Sequence, residues 1–99
     1  MKYFIIVTTE EYDEWYDQQR SKDRLQIDSR LTKIQDDGYF GVTRDLEDDL
    51  YELKWVNGRR IYYAYLEEEN ILLLLGGNKN GQDKDINKAR KILSKKTET

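Results

Sequence analysis

The chain predicts an α+β fold, a small sheet covered by helices, and three observations carry that expectation. A short β-rich run, Tyr3 to Thr8, opens the chain and is followed by two stretches with apolar residues at helical spacing. Three further β-rich runs then succeed one another between residues 50 and 75. Near the end, Ile86, Ala89, Ile92 and Leu93 recur at helical spacing. With 99 residues there is material for one domain, residues 1–99, and one continuous core layer system.

The elements follow in order. Glu10 to Gln19 places Tyr12, Trp15 and Tyr16 on one helical face, with Thr9 or Thr8 as N-cap. Packing is the favoured reading of Trp15 and Tyr16. A second helix is expected over Lys22 to Asp36, capped by Ser21 and ended by Gly38, with Ile27, Leu31 and Ile34 inward. These two make an α-hairpin. Tyr39 to Asp49 reads as a loop with at most one short strand. Leu50 to Val56, Arg59 to Leu66 and Asn70 to Leu75 are then strands, separated by Asn57-Gly58 and Glu67-Glu68-Glu69. The last is apolar on both faces and belongs in the sheet interior. Gly76-Gly77 is expected to break it, and a loop with Lys79 leads into a helix over Gln82 to Lys95. Here the stripe of Ile86, Ala89, Ile92 and Leu93 reads as core.

The middle hairpin has two registers. A two-residue Asn57-Gly58 loop mixes charged and apolar side chains on each face. A three-residue loop, Val56-Asn57-Gly58 with Gly58 left-handed, pairs Lys54 with Arg60 and sorts them. Tyr51, Leu53, Trp55, Ile61, Tyr63 and Tyr65 then share one face, and Glu52, Lys54, Arg60 and Tyr62 the other. Because a one-residue slip inverts every side chain, burial selects the sorted, bulged register.

Composition prunes the chemistry. The chain has no cysteine and no histidine, so thiol nucleophiles, disulfides, Cys-based zinc sites and imidazole acid–base chemistry are excluded. Neither a metal site nor a phosphate-cradling glycine loop is indicated, and no cofactor is expected. The longest apolar run, Ile71 to Leu75, is far short of the ~20 residues of a membrane span. Nor does the N-terminus read as a signal peptide, so a cytoplasmic protein away from membranes is expected. The net charge of −3 is unevenly spread: residues 9–49 carry thirteen acids against six bases, and residues 50–99 seven against ten.

Any catalysis must therefore use Lys, Arg, Tyr, Asp or Glu. The sorted register gathers Lys54, Arg60, Tyr62 and Glu52 on one sheet face. Arginine offers a planar fork for phosphate oxygens and lysine a point charge. The same group also reads as a solvent-facing surface with Glu52 paired to Lys54 or Arg60, and the residues alone leave both open. Lys79 follows the last strand; Gln82, Asp83 and Asp85 open the final helix, where carboxylates suit the helix dipole. Capping is the preferred reading of Asp83.

Taken together, the runs Leu50-Tyr51-Glu52-Leu53-Lys54, Gly58-Arg59-Arg60-Ile61-Tyr62-Tyr63 and Leu73-Leu74-Leu75-Gly76-Gly77-Asn78-Lys79, with Gln82, Asp85-Ile86 and Ala89, resemble the RelE/HigB superfamily of toxins. The narrower resemblance is to the branch called addiction-module killer proteins. It spans nearly the whole chain, and the Gly-Gly-Asn-Lys segment is its most specific part. It implies a RelE-like fold: an N-terminal strand and α-hairpin packed on a small, mainly antiparallel twisted sheet, with a C-terminal helix. It implies a toxin that acts on messenger RNA at the ribosome and is neutralised by a cognate antitoxin, in this branch typically a helix-turn-helix protein.

The implied reaction is attack of a ribose 2′-hydroxyl on the adjacent phosphate. By position, Arg60 matches the arginine that stabilises the pentacoordinate phosphate, and Lys79 a basic position in the following loop. Lys54 stands where the branch usually has Arg and is a candidate base or acid. Asp85 falls where relatives place Tyr, His or Asp. Tyr62 is expected to orient or stack a nucleotide, and Arg59, Gln82 and Lys84 to complete the substrate contacts. The departures are an acidic overall charge, Lys at position 54, Arg59 in place of an aromatic, and a shorter loop between the middle strands.

Overall fold

The computed structural model describes residues 3–67 and 69–97. The elements, in chain order, are β1 (Ile5–Thr8), α1 (Glu10–Asp17), α2 (Ser21–Asp37), β2 (Thr43–Asp45), β3 (Tyr51–Lys54), β4 (Arg59–Glu67), β5 (Asn70–Asn78) and α3 (Gln82–Thr97). A 3₁₀ turn, Lys79–Gly81, joins β5 to α3. This is the expected α+β order. The five strands form one sheet in the order β1-β5-β4-β3-β2, with β1 parallel to β5 and every other neighbour antiparallel.

Because strand side chains alternate between faces, the sheet divides the interior into two cores. On one face α1 and α2 bring Tyr12, Ile27 and Ile34 onto Leu53, Ile61, Tyr63, Ile71 and Leu73. Trp15, Tyr16 and Leu31 are half-buried against this core, and Phe4, Phe40, Tyr51 and Tyr65 extend it as an aromatic cluster. On the other face α3 lays Ala89 and Ile92 over Leu50, Tyr62, Ala64, Leu72, Leu74 and Leu75. β5 is covered on both sides, as its apolar run predicts.

The bulged hairpin is the observed one. Lys54 pairs with Arg60 and Leu53 with Ile61. The Gly58 N–H donates to the Trp55 carbonyl at 3.1 Å. Gly58 sits at φ +99°, a left-handed conformation that needs a residue without a Cβ. A second bulge lies in β5, where Tyr62 pairs with Leu75 but Tyr63 with Leu73. The extra residue, Leu74, leaves its carbonyl outside the ladder, and the Thr9 hydroxyl donates to it at 2.7 Å. The Thr9 Oγ1 in turn accepts from the Tyr12 N–H at 3.0 Å. Thr9 thus caps α1 and fastens it to the central strand, which settles the choice between Thr8 and Thr9.

Two expectations are corrected. Ser21 does not cap α2: it is the helix's first residue, Arg20 takes the cap position, and no side chain closes that end. Gly76-Gly77 does not break β5, which runs on to Asn78. Both glycines are required by close approach rather than by turning. A Cβ on Gly76 would enter the indole of Trp15 on one face, and a Cβ on Gly77 would meet the Asp85 carboxylate on the other. Glu68, inside an expected hairpin loop, lies outside the described residues.

Candidate functional site

The face beneath α3 changes character along its length. At one end it is the apolar core described above; toward the β3–β4 hairpin it becomes polar. Register sets the order. One cross-strand row runs Arg44, Glu52, Tyr62, Leu75, and the next runs Lys54, Arg60, Gly77. Since Gly77 has no side chain, its place in that row is filled from above by Asp85, from the first turn of α3. Lys54 and Arg60 are thereby cross-strand neighbours, and Asp85 lies over the Gly77 end of their row.

Glu52 is the hub. It is fully buried. Its Oε2 accepts from Gln82 Nε2 at 2.7 Å, tying the sheet to α3. Its Oε1 lies 3.4 Å from Arg44 Nε and 3.9 Å from Arg60 Nε. Arg60 is 9% exposed, and its Nη1 donates to the carbonyls of Arg59 and Trp55 at 2.9 and 3.1 Å. Lys54 is half-buried. Asp85 has its pKa raised by burial, an effect that Lys88 and Lys84 partly oppose.

The remaining expected site residues are placed as follows. The Lys79 N–H donates to the Gly58 carbonyl at 2.8 Å and its side-chain methylenes lie over Gly58, which carries the exposed lysine to the hairpin end of the site. Gln82 holds Glu52. Lys84 is exposed on the first turn of α3. Two placements correct the expectation. Tyr62 is fully buried, so no base can stack on it; burial and the nearby Glu52 and Asp85 charges push its hydroxyl well above the ordinary phenol range. Arg59 points to the opposite face, where Asp23 pairs with it at 2.8 Å and Gln26 accepts from it at 3.2 Å. Its odd position relative to Arg60 on a strand demands that separation.

Arg44 was not foreseen. Its place beside Glu52 depends on the register of the three-residue strand β2, and nothing local marks that strand or its partner. No group of acidic residues that could hold a metal ion exists among the described residues. Likewise, none of the described helices is long and apolar enough to cross a membrane.

Comparison with known structures decides the fold. E. coli RelE, in a mutant form solved in the free state, superposes with a TM-score of 0.70 over 92% of this chain and 97% of that one, at 19% identity. A chain of the intact E. coli RelBE toxin–antitoxin complex gives 0.63 over 76% of this chain and 95% of that one, at 17% identity. The chain has the RelE fold. In sequence, the RelE-fold chain is 34% identical over 89 residues to an uncharacterized protein of Haemophilus influenzae, covering 86% of itself and 88% of that protein. The chain belongs to the same family as that protein. No family model matches the chain.

Proposed function

We propose that this RelE-fold chain is the toxin of a toxin–antitoxin pair and an endoribonuclease that cuts messenger RNA on the ribosome, restrained by a small antitoxin. The observation that supports this most is the row Lys54, Arg60 and Asp85, set on one sheet face of a RelE fold with Lys79 at its open end. In the reaction, a ribose 2′-oxygen loses its proton and bonds to the adjacent phosphorus. The P–O5′ bond breaks, the 5′-oxygen takes up a proton, and a 2′,3′-cyclic phosphate remains. In this reading Lys54 and Asp85 move the protons. Arg60 and Lys79 oppose the charge that develops on the phosphorane, where fixed charges contribute most to the rate.

One observation favours a second reading, a non-cleaving interaction protein that binds the antitoxin. Arg60 is nearly buried, and the buried carboxylate of Glu52 offsets the cations of the same face. Induced expression separates the two. If the nuclease reading holds, the native chain arrests bacterial growth and new mRNA 5′ ends appear within translated frames, while Lys54→Ala and Arg60→Ala variants do neither. If soluble, folded native protein leaves growth and mRNA unchanged, the interaction reading replaces it.

A further inference from the structure

Four buried side-chain polar atoms lack a hydrogen-bond partner among the described residues, and three belong to neighbouring residues of the candidate site: Glu52 Oε1, Arg60 Nε and the Tyr62 hydroxyl. The fourth, the Tyr12 hydroxyl, is on the opposite face. Such orphans are few in native proteins because each loses its hydration without replacement. Here the cause is geometric. Gln82 fixes Glu52 Oε2, and two main-chain carbonyls fix Arg60 Nη1. A single oxygen, Oε1, is left facing two guanidinium Nε–H groups, and at 3.4 and 3.9 Å it satisfies neither. Charge-assisted contacts of this kind close to ~2.7–2.9 Å when nothing prevents it.

We infer that Glu52 is the resident counter-anion of a phosphate site formed by Arg44 and Arg60, and that a substrate phosphate replaces it as their partner. A phosphate carries the same sign of charge on a tetrahedron of oxygens, so it can reach two guanidiniums that one carboxylate oxygen cannot. Arg44 is about half exposed and supplies the entry side, with Glu52 remaining on Gln82. Glu52 is therefore a positioning residue: it holds the two arginines in place when no substrate is bound and sets how strongly they take one. The inference rests on the nuclease reading for the source of the phosphate, an RNA backbone, but not for the binding of phosphate itself.

The test is a titration of the full chain with inorganic phosphate, following the ¹⁵N–¹H signals of the arginine Nε groups and the thermal midpoint. The Arg44 and Arg60 Nε signals should shift together and saturate. Glu52→Gln should bind phosphate at least ~10-fold more tightly, because an anion within 4 Å of both cations is gone, and its thermal midpoint should rise more with phosphate than the native one. Equal or weaker binding by a folded Glu52→Gln chain overturns the inference. Should that variant fail to fold, the native titration still decides: an Arg60 Nε signal indifferent to phosphate overturns it. Phosphate binding without mRNA cleavage would sink the nuclease reading alone. Cleavage with an indifferent Arg60 signal would sink this inference alone.

Discussion

The two faces of the sheet treat their arginines in opposite ways. Under the α-hairpin, Arg30 donates to the carbonyls of Phe40, Val42 and Lys54 and stacks 4.3 Å from the Trp55 ring. Arg59, over the same indole at 5.4 Å, is held by Asp23 and Gln26. Both cations are fully partnered, and their work is structural. Under α3, Arg60 keeps an unpartnered Nε and Arg44 shares one carboxylate oxygen with it. What sets the candidate site apart from the scaffold is unfinished pairing, since both faces carry arginines.

The comparison predicts that substitutions on the hairpin face change stability and those on the α3 face change activity. The largest stability effect should come from Arg30→Ala, which takes the guanidinium from the Phe40 and Lys54 carbonyls, leaves the Val42 carbonyl with the Lys54 N–H alone, and bares Trp55. A loss of about 3 kcal/mol, a fall of roughly 10–20 °C in a domain this size, is expected in thermal unfolding. A change below 1 kcal/mol would mean that the three contacts are surface decoration. Thr9→Val should cost about 2 kcal/mol, since it removes the α1 cap and leaves the buried Leu74 carbonyl unpaired. Denaturant midpoints at constant m-value would read it.

Lys54→Ala should behave in the reverse manner. Its stability should stay within about 0.5 kcal/mol of native, as for an unpartnered partly exposed side chain, while cleavage falls by about 100-fold or more. The smallest effect concerns Asp85. Burial raises its folded-state pKa above 3.8, so the folded chain holds that proton more tightly than the unfolded one. The ionised carboxylate thus weakens the fold as pH rises through the folded-state value, and the penalty is absent below about 3.8. Asp85→Asn should raise the thermal midpoint at neutral pH, and the gain should vanish in strong acid. A gain that persists there would assign the effect to something other than the charge.

How much of this was legible beforehand differs between the faces as well. Face sorting around Asn57-Gly58 was readable because only one register keeps Leu53 and Ile61 away from Lys54 and Arg60. That register already placed Lys54 and Arg60 side by side. Gly76-Gly77 misled because a glycine pair reads as a turn, whereas here each glycine makes room for a side chain from a distant helix, Trp15 or Asp85. Nothing within the strand records those visitors. Alternation puts Tyr62 on the correct face, but that face is covered by α3 at that point, and burial by a remote helix is invisible in a strand's own alternation. Arg44 stayed hidden for the same reason: its importance comes from a cross-strand partner.

The central claim is that the polar end of the α3 face acts on RNA while the hairpin-face arginines only hold the fold. The direct measurement is cleavage of mRNA on purified, programmed ribosomes by the native chain, Lys54→Ala and Arg59→Ala, each checked for folding. The account predicts cuts by the native chain, loss of cutting in Lys54→Ala, and cutting by Arg59→Ala in proportion to its folded fraction. Unchanged cutting by Lys54→Ala, or its loss in fully folded Arg59→Ala, would contradict the account.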